Sequence, residues 1–204
     1  MRFYGIFVFV SFCILALIVA RNINKLKSRG ISPISGKSKK VHSFFVYPLF
    51  TIILFLWLFE VSKFAFQFSF LLLPVKVSGL LFESVFLKIS GILIILISLF
   101  FLKITLIQFG NSLRFGFDKN NPGKLITTGI FSISRNPFFL SLDFYFYGTA
   151  LIFPSIFFIC FAALSIVSIH FFILKEEKFM YRIYGEEYEN YKKEVKRYID
   201  VSKR

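Results

Sequence analysis

Residues 138–174 read FFLSLDFYFYGTALIFPSIFFICFAALSIVSIHFFIL, and the fold turns on how this run is divided. It is apolar almost throughout and too long for one crossing of a bilayer, which takes about 20 residues of helix. Gly148 and Pro154 interrupt it. The pattern predicts a helical hairpin, Phe138 to Phe153 in one direction and Ser155 to Leu174 in the other. A hairpin returns the chain to the side it left. The polar stretches that flank it, LITTGIFSISRNP (125–137) and KEEKFMYRIYGEEYENY (175–191), therefore belong to one face.

The rest of the composition agrees with a hydrocarbon solvent. Of 204 residues, 56% are hydrophobic and 32 are Phe, and the mean hydropathy is +0.72. A soluble domain of this length cannot hide that much apolar surface, so the expected class is an all-α integral membrane helical bundle. The net charge of +14 raises nucleic acid as a partner. The basic residues lie in blocks beside apolar runs, which suits anionic headgroups and topology instead, so no nucleic acid is expected. Cys13 and Cys160 sit inside apolar runs and read as small buried hydrophobes. With His42 and His170 the only histidines, no metal site is expected.

Working outward, Phe3 to Ala20 reads as a first span. A cleaved signal peptide is the rival reading, but the basic block follows the run rather than preceding it, so a retained span is expected. Arg21 to Ser43 carries Arg21, Lys25, Lys27, Arg29, Lys37, Lys39 and Lys40 without an acid, and reads as a cytoplasmic loop. Phe44 to Phe59 is a second span. Val61 to Leu73 reads as its extension or as an interfacial segment within an external connection, Glu60 to Lys88. Phe86 to Ile107 is a third span, with Lys88 snorkelling outward from its end. Gly110 to Lys124 is a loop with an Asn-Pro-Gly turn. With the hairpin this makes about five spans, the amino end outside and the carboxyl end cytoplasmic. Two units are expected: a scaffold, 1–108, and a core, 109–204. The tail from Lys175 onward reads as an amphipathic interfacial helix anchored by Tyr181, Tyr184, Tyr188, Tyr191 and Tyr198.

Five groups near this face are candidates for chemistry. Asp143 lies about two turns, roughly 10 Å, into the fourth span. It either lines a cofactor or substrate site or forms an ion pair with Arg135 or Lys175. His170, near the end of the fifth span, is either a hydrogen-bonded bundle histidine or a catalytic one. Arg135 opens the fourth span, and Glu176 and Glu177 close the fifth. Together they suggest a pocket with a helix start, a cation and two carboxylates, roofed by Phe131, Phe138 and Phe139. Such a site suits a zwitterionic or sulfonium-bearing ligand.

The ordered set Leu125-Ile-Thr-Thr-Gly129-Ile-Phe131, Arg135-Asn-Pro137, Gly148, Pro154, Glu176-Glu177, Tyr184-Gly185-Glu186-Glu187-Tyr188 and Tyr191 resembles the isoprenylcysteine carboxyl methyltransferase family. More broadly it resembles the bacterial membrane and phospholipid methyltransferases related to that family. The resemblance covers about the last 95 residues. It implies S-adenosyl-L-methionine as cofactor at the cytoplasmic face. The implied cofactor contacts are Lys124, Leu125, Ile126, Phe131, Asn136, Pro137, Phe138, Phe139 and Glu176, with Arg135 orienting the pocket. Asn136 stands where the family usually has His, and Phe131 and Phe139 where it has Tyr. Phe172 stands where the eukaryotic enzymes place an Arg that handles substrate, which argues against a prenylcysteine carboxylate.

The implied reaction is methyl transfer to a hydrophobic small-molecule or lipid acceptor, with membrane lipids as surroundings. For an amine acceptor, Glu177, Asp143 or His170 would take the proton. Two other functions stay open on sequence. One is an NADPH-dependent membrane reductase of the sterol-reductase type, with Arg114, Lys119 and Lys124 as the basic cluster. The other is a non-catalytic membrane scaffold.

Overall fold

The computed structural model describes residues 1–29, 42–110 and 124–199, with side chains from residue 50 onward in the second helix. Arg114, Lys119, the Asn-Pro-Gly turn and Lys37 to Lys40 lie outside the described residues. The described chain is helical, with α1 at Arg2–Ser28, α2 at His42–Phe66, a one-turn α3 at Val75–Ser78 and α4 at Val85–Phe109. A 3-10 turn at Gly129–Ser132 precedes α5 at Pro137–Ile152, α6 at Ile156–Tyr184 and α7 at Glu186–Glu194. By length and composition α1, α4 and α6 can each cross a membrane, and α5 is a shorter apolar helix.

The long helices alternate in direction. Gly5 of α1 lies against the backbone of Phe64 and Ala65 at the far end of α2. The Lys88 ammonium of α4 sits 5.3 Å from the Tyr4 ring of α1, and Asn22 donates to the Leu106 carbonyl at 3.1 Å, so α1 and α4 run parallel. The hairpin divides at Pro154 as expected. Proline has no N–H for a continuing helix, and Ser155 then caps α6 by accepting from the Phe158 amide at 3.3 Å. Gly148 is not a break. It lies inside α5 facing Gly91 of α4, where a Cβ on either residue would come within 3 Å of the other's carbonyl oxygen. Small residues here let the two backbones touch, as they do where apolar contact alone gives little preference between helix and lipid.

The interior is aromatic. Trp57 is fully buried among Phe12, Tyr145, Phe146 and Phe161, with ring centroids 5.0–6.2 Å apart. Tyr145 donates to the Val8 carbonyl at 2.8 Å and meets the Ser11 hydroxyl at 3.0 Å, joining α5 to α1. Replacing Tyr145 by Phe should lower stability by about 1 kcal/mol, read as a lower thermal midpoint in detergent. An unchanged midpoint would remove this bond from the account of α1 docking. The outside is apolar instead of polar: Phe3, Ile6, Val10, Ile14 and Leu17 form one exposed stripe of α1. Cys13 and Cys160 lie on the outer surface, not in the core as expected, because their positions fall on lipid-facing sides of α1 and α6.

Several boundaries differ from the sequence expectation. α1 continues through Arg21–Ser28, which read as loop. Leu26 keeps a buried face there and Asn22 bonds to α4, and nothing breaks the helix before Gly30. The extension reading of Val61 to Leu73 holds as far as Phe66, where α2 ends, and Glu60 is fully buried inside that helix, paired with Lys63 one turn on. Lys88 does not snorkel: it is buried and bonds Glu83 at 2.8 Å. The tail is not one interfacial helix. α6 runs on to Tyr184, and Gly185 reverses the chain at φ +54°, a left-handed conformation that glycine adopts without steric cost. α7 then folds back and buries Tyr188, Tyr191 and Val195 against Ile130 and Phe131.

Candidate active site

One end of the bundle collects the end of α4, the 125–136 segment, the start of α5, the charged end of α6, α7 and the tail. The segment before α5 is pinned from three sides. The Ile130 amide donates to Gln108 at 2.7 Å, fixing the 3-10 turn to α4. Tyr191 of α7 donates to the Phe131 carbonyl at 2.6 Å. The Arg135 amide donates to the Lys196 carbonyl at 3.1 Å, while the Asn136 side-chain amide and the Ser134 hydroxyl both donate to the Arg197 carbonyl. Pro137 then occupies the first turn of α5, where its missing N–H is harmless.

Glu177 is the centre of the ionic network. Its carboxylate accepts from Arg135 Nη2 at 2.9 Å and from the Nε and Nη2 of Arg197 at 2.8–3.1 Å. The Glu177 side chain is only 10% exposed and that of Arg135 only 6%, so two guanidinium groups share one buried carboxylate. Arg135 Nε and Nη1 are buried with no acceptor among the described residues. A buried guanidinium with two unmet donors is what a carboxylate-bearing ligand completes. Glu176 is one residue earlier on the helix, with the Glu177 carboxylate as its charged neighbour. It is half-buried and takes part in no hydrogen bond or ion pair among the described residues.

Nearer the bundle interior lie Asp143, His170 and Tyr198. Asp143 is 7% exposed, and its Oδ1 has no partner among the described residues. It forms no ion pair with Arg135, whose paired nitrogen goes to Glu177; Lys175 is exposed. His170 Nδ1 meets the Tyr198 hydroxyl at 2.7 Å, with the two rings nearly parallel at 22°. Phe138, Phe139 and Phe172 form a run of rings joining α5 to α6, the last two with centroids 5.3 Å apart. Beside Glu177 and Arg197 a groove of about 320 Å³ opens between α6 and α7, walled by Leu174, Lys178, Tyr181, Tyr188 and Lys192.

Burial pushes the Tyr188 and Tyr191 hydroxyl pKa values above the ordinary range. For Tyr198 burial acts first and the negative charge at Asp143 second. The hydrogen-bonded Glu177 carboxylate raises the pKa of Arg197.

The structure thus brings Arg135, Glu177, Asn136 and Phe131 to one place, with Asp143, His170 and Phe139 in the adjoining layer. Leu125 and Ile126 pack on the Ile130–Phe131 cluster, and Lys124 is exposed at its edge. Arg197, Tyr198 and Gln108 went unrecognised as site residues in the sequence. Arg197 and Tyr198 sit in a lysine-rich tail and reach the site only because of the turn at Gly185. No curated protein matches the chain. The family model for phospholipid methyltransferases matches residues 85–187, which takes in α4, the pinned segment, α5, α6 and the first residues of α7. That match spans half of the chain and both flanks of the ionic network, and by it this bundle belongs to the phospholipid methyltransferase family.

Proposed function

We propose that the protein is an integral membrane methyltransferase that uses S-adenosyl-L-methionine and acts on a hydrophobic or lipid-like acceptor at the cytoplasmic face. The observation that carries this reading is Arg135: buried, held by Glu177 through one nitrogen, and left with two donors unmet. It stands at the entrance of α5 within the segment that the family match covers. The bound cofactor would supply a methyl group on a sulfonium, already activated for displacement. The chain's own task is to orient and to exclude water. Arg135 takes a carboxylate, Glu176 faces an ammonium or sulfonium, and Phe131, Phe138 and Phe139 provide apolar and aromatic walls. Asn136, Pro137, Leu125, Ile126 and Lys124 complete the frame. Asp143, His170 and Glu177 are the groups placed to handle a proton.

The cytoplasmic placement rests on charge. Lys25, Lys27, Arg29, Lys103, Lys124 and Lys175 all belong to this end of the bundle, and the positive-inside rule puts such an end in the cytoplasm. The amino terminus, one α1 length away, is then outside.

Equilibrium binding of S-adenosyl-L-methionine to the detergent-purified protein tests the reading, with NADPH as the parallel ligand. Saturable micromolar binding of the first and none of the second is expected. Arg135→Ala and Glu176→Gln should each weaken it about tenfold or more, the worth of one charge-assisted bond. Equal affinity in both variants would sink the pocket assignment, and binding of NADPH alone would move the protein to the reductases.

A further inference from the structure

The outward-facing side of α6 runs into a charged groove. Leu164, Val167, Phe171 and Leu174 recur at three- and four-residue steps and are all exposed, so they form one apolar stripe. Lys178 and Tyr181 continue the same steps and are exposed as well. With Leu174 they make the α6 wall of the groove of about 320 Å³. We propose that this groove seats the phosphodiester headgroup of an anionic lipid from the surrounding leaflet, with the acyl chains lying along the stripe. The inference needs only that α6 crosses the bilayer, and it stands apart from the methyltransferase reading.

The depth of the groove suits a lipid. Ile156 to Leu174 covers about 28 Å of helix, close to the roughly 30 Å of bilayer hydrocarbon. Leu174 therefore lies at the hydrocarbon boundary, and Lys178, about 6 Å further along, lies in the headgroup layer. A soluble anion makes no use of the stripe. A lipid covers the stripe with its chains while its phosphate reaches the groove.

The charges select an anion. Lys178, Lys192 and Arg197 line the groove against Glu177 and Glu189. Glu177 is already shared by Arg135 and Arg197, so its negative charge is more than matched. Arg197 meets it through Nε and Nη2, and Nη1 has no part in that pairing. Glu189 meets Lys192 only at 3.5 Å, with both side chains well exposed, and such a pair contributes little. Lys178 has no ion pair among the described residues. The two lysines and the remaining guanidinium edge are thus left for a phosphate, and Tyr181 adds a ring suited to the interface. Basic pockets at the cytoplasmic ends of spans take anionic headgroups in this way. A zwitterionic lipid brings an ammonium beside the same cations and is held less well.

Native mass spectrometry of the full chain in detergent, titrated with phosphatidylglycerol and in parallel with phosphatidylcholine, tests the site. The first phosphatidylglycerol should bind about tenfold or more tightly than the first phosphatidylcholine, as expected for two lysines beside an anionic headgroup. Lys178→Gln combined with Lys192→Gln should bring the two lipids within about threefold of each other. Both residues are exposed and outside the Glu177 network, so the thermal midpoint should stay unchanged. Lys25→Gln combined with Lys27→Gln removes the same charge from exposed positions on α1 and should leave the preference intact. Equal losses in the two double variants overturn the proposal, because net charge rather than the groove would then set the preference. A wild type that binds both lipids alike overturns it too. Inorganic phosphate at millimolar concentration should not displace bound phosphatidylglycerol; displacement would make the groove a site for soluble phosphates and overturn the lipid assignment. A dimer that forms in place of the lipid adduct would give this face to a second copy of the chain, with the same consequence.

Discussion

Glu177→Ala is expected to cost about 3–5 kcal/mol of stability, the penalty for removing one partner of a buried ion pair. The cause is what remains. Arg135 and Arg197 converge on this carboxylate from opposite segments, and without it two cations face each other with little water between them. The loss should extend along the chain. Arg197 holds the Asn136 and Ser134 side chains through its carbonyl, and the neighbouring Lys196 carbonyl holds the Arg135 amide. Freed tail segments become protease substrates, so trypsin should cut after Lys192, Lys193 and Lys196 faster than in the parent. A lower thermal midpoint together with faster tail cleavage is the expected pair of results. Arg197→Ala added to Glu177→Ala should cost far less than in the parent, because the interaction is already gone. Full additivity would mean that the three groups do not act as a unit.

Gly91→Val should damage the bundle by about 3 kcal/mol, at the upper end of the usual overpacking range. The first added carbon would lie 2.6 Å from the Gly148 carbonyl oxygen, 2.7 Å from the Ile152 side chain and 3.2 Å from the Ile152 amide nitrogen. Two of these three obstacles are backbone, which no rotamer change relieves. α4 and α5 must separate, and Ser98 then loses its 2.7 Å bond to the Ser141 carbonyl. Leu93→Ala serves as the control, since Leu93 is 54% exposed on the outer surface of the same helix. It should move the midpoint by no more than about 0.5 kcal/mol equivalent. Comparable losses in the two variants would show that general hydrophobicity, rather than the α4–α5 approach, sets stability.

The hairpin was legible because Pro154 acts on its own backbone, and a local cause leaves a local mark in the sequence. Helix ends at the membrane surface were less legible. Charges begin at Arg21 and Lys175, but a charge does not end a helix: α1 runs on to Ser28, and α6 runs on to Tyr184, before the reversal at Gly185. The membership of Arg135 and Glu177 in one site could be read from the hairpin, since it returns the chain to the same face. That Glu177 is shared with Arg197 could not. That contact spans 20 residues and a reversal at Gly185, and no periodicity reports on it. Asp143 was singled out by the cost of a carboxylate in apolar surroundings, and no cation among the described residues pairs with it.

The shortness of α5 bears on how the protein is made. At 16 residues it spans about 24 Å, less than the roughly 30 Å of bilayer hydrocarbon. It is shielded by α4 and α6, and its hairpin turn is covered by the 79–84 segment, where Leu81 donates to the Pro154 carbonyl at 2.8 Å. A helix of that length, carrying Asp143 and with ten buried positions, has no stable solitary residence in lipid. During synthesis α4 is already in the bilayer when α5 leaves the ribosome. The Gly91–Gly148 seam is then the first surface that α5 can rest on, and the hairpin closes over it only when α6 follows. Assembly is thus ordered by the sequence of emergence, and the face bearing Arg135 and Glu177 closes only after α7 and Arg197 have followed α6.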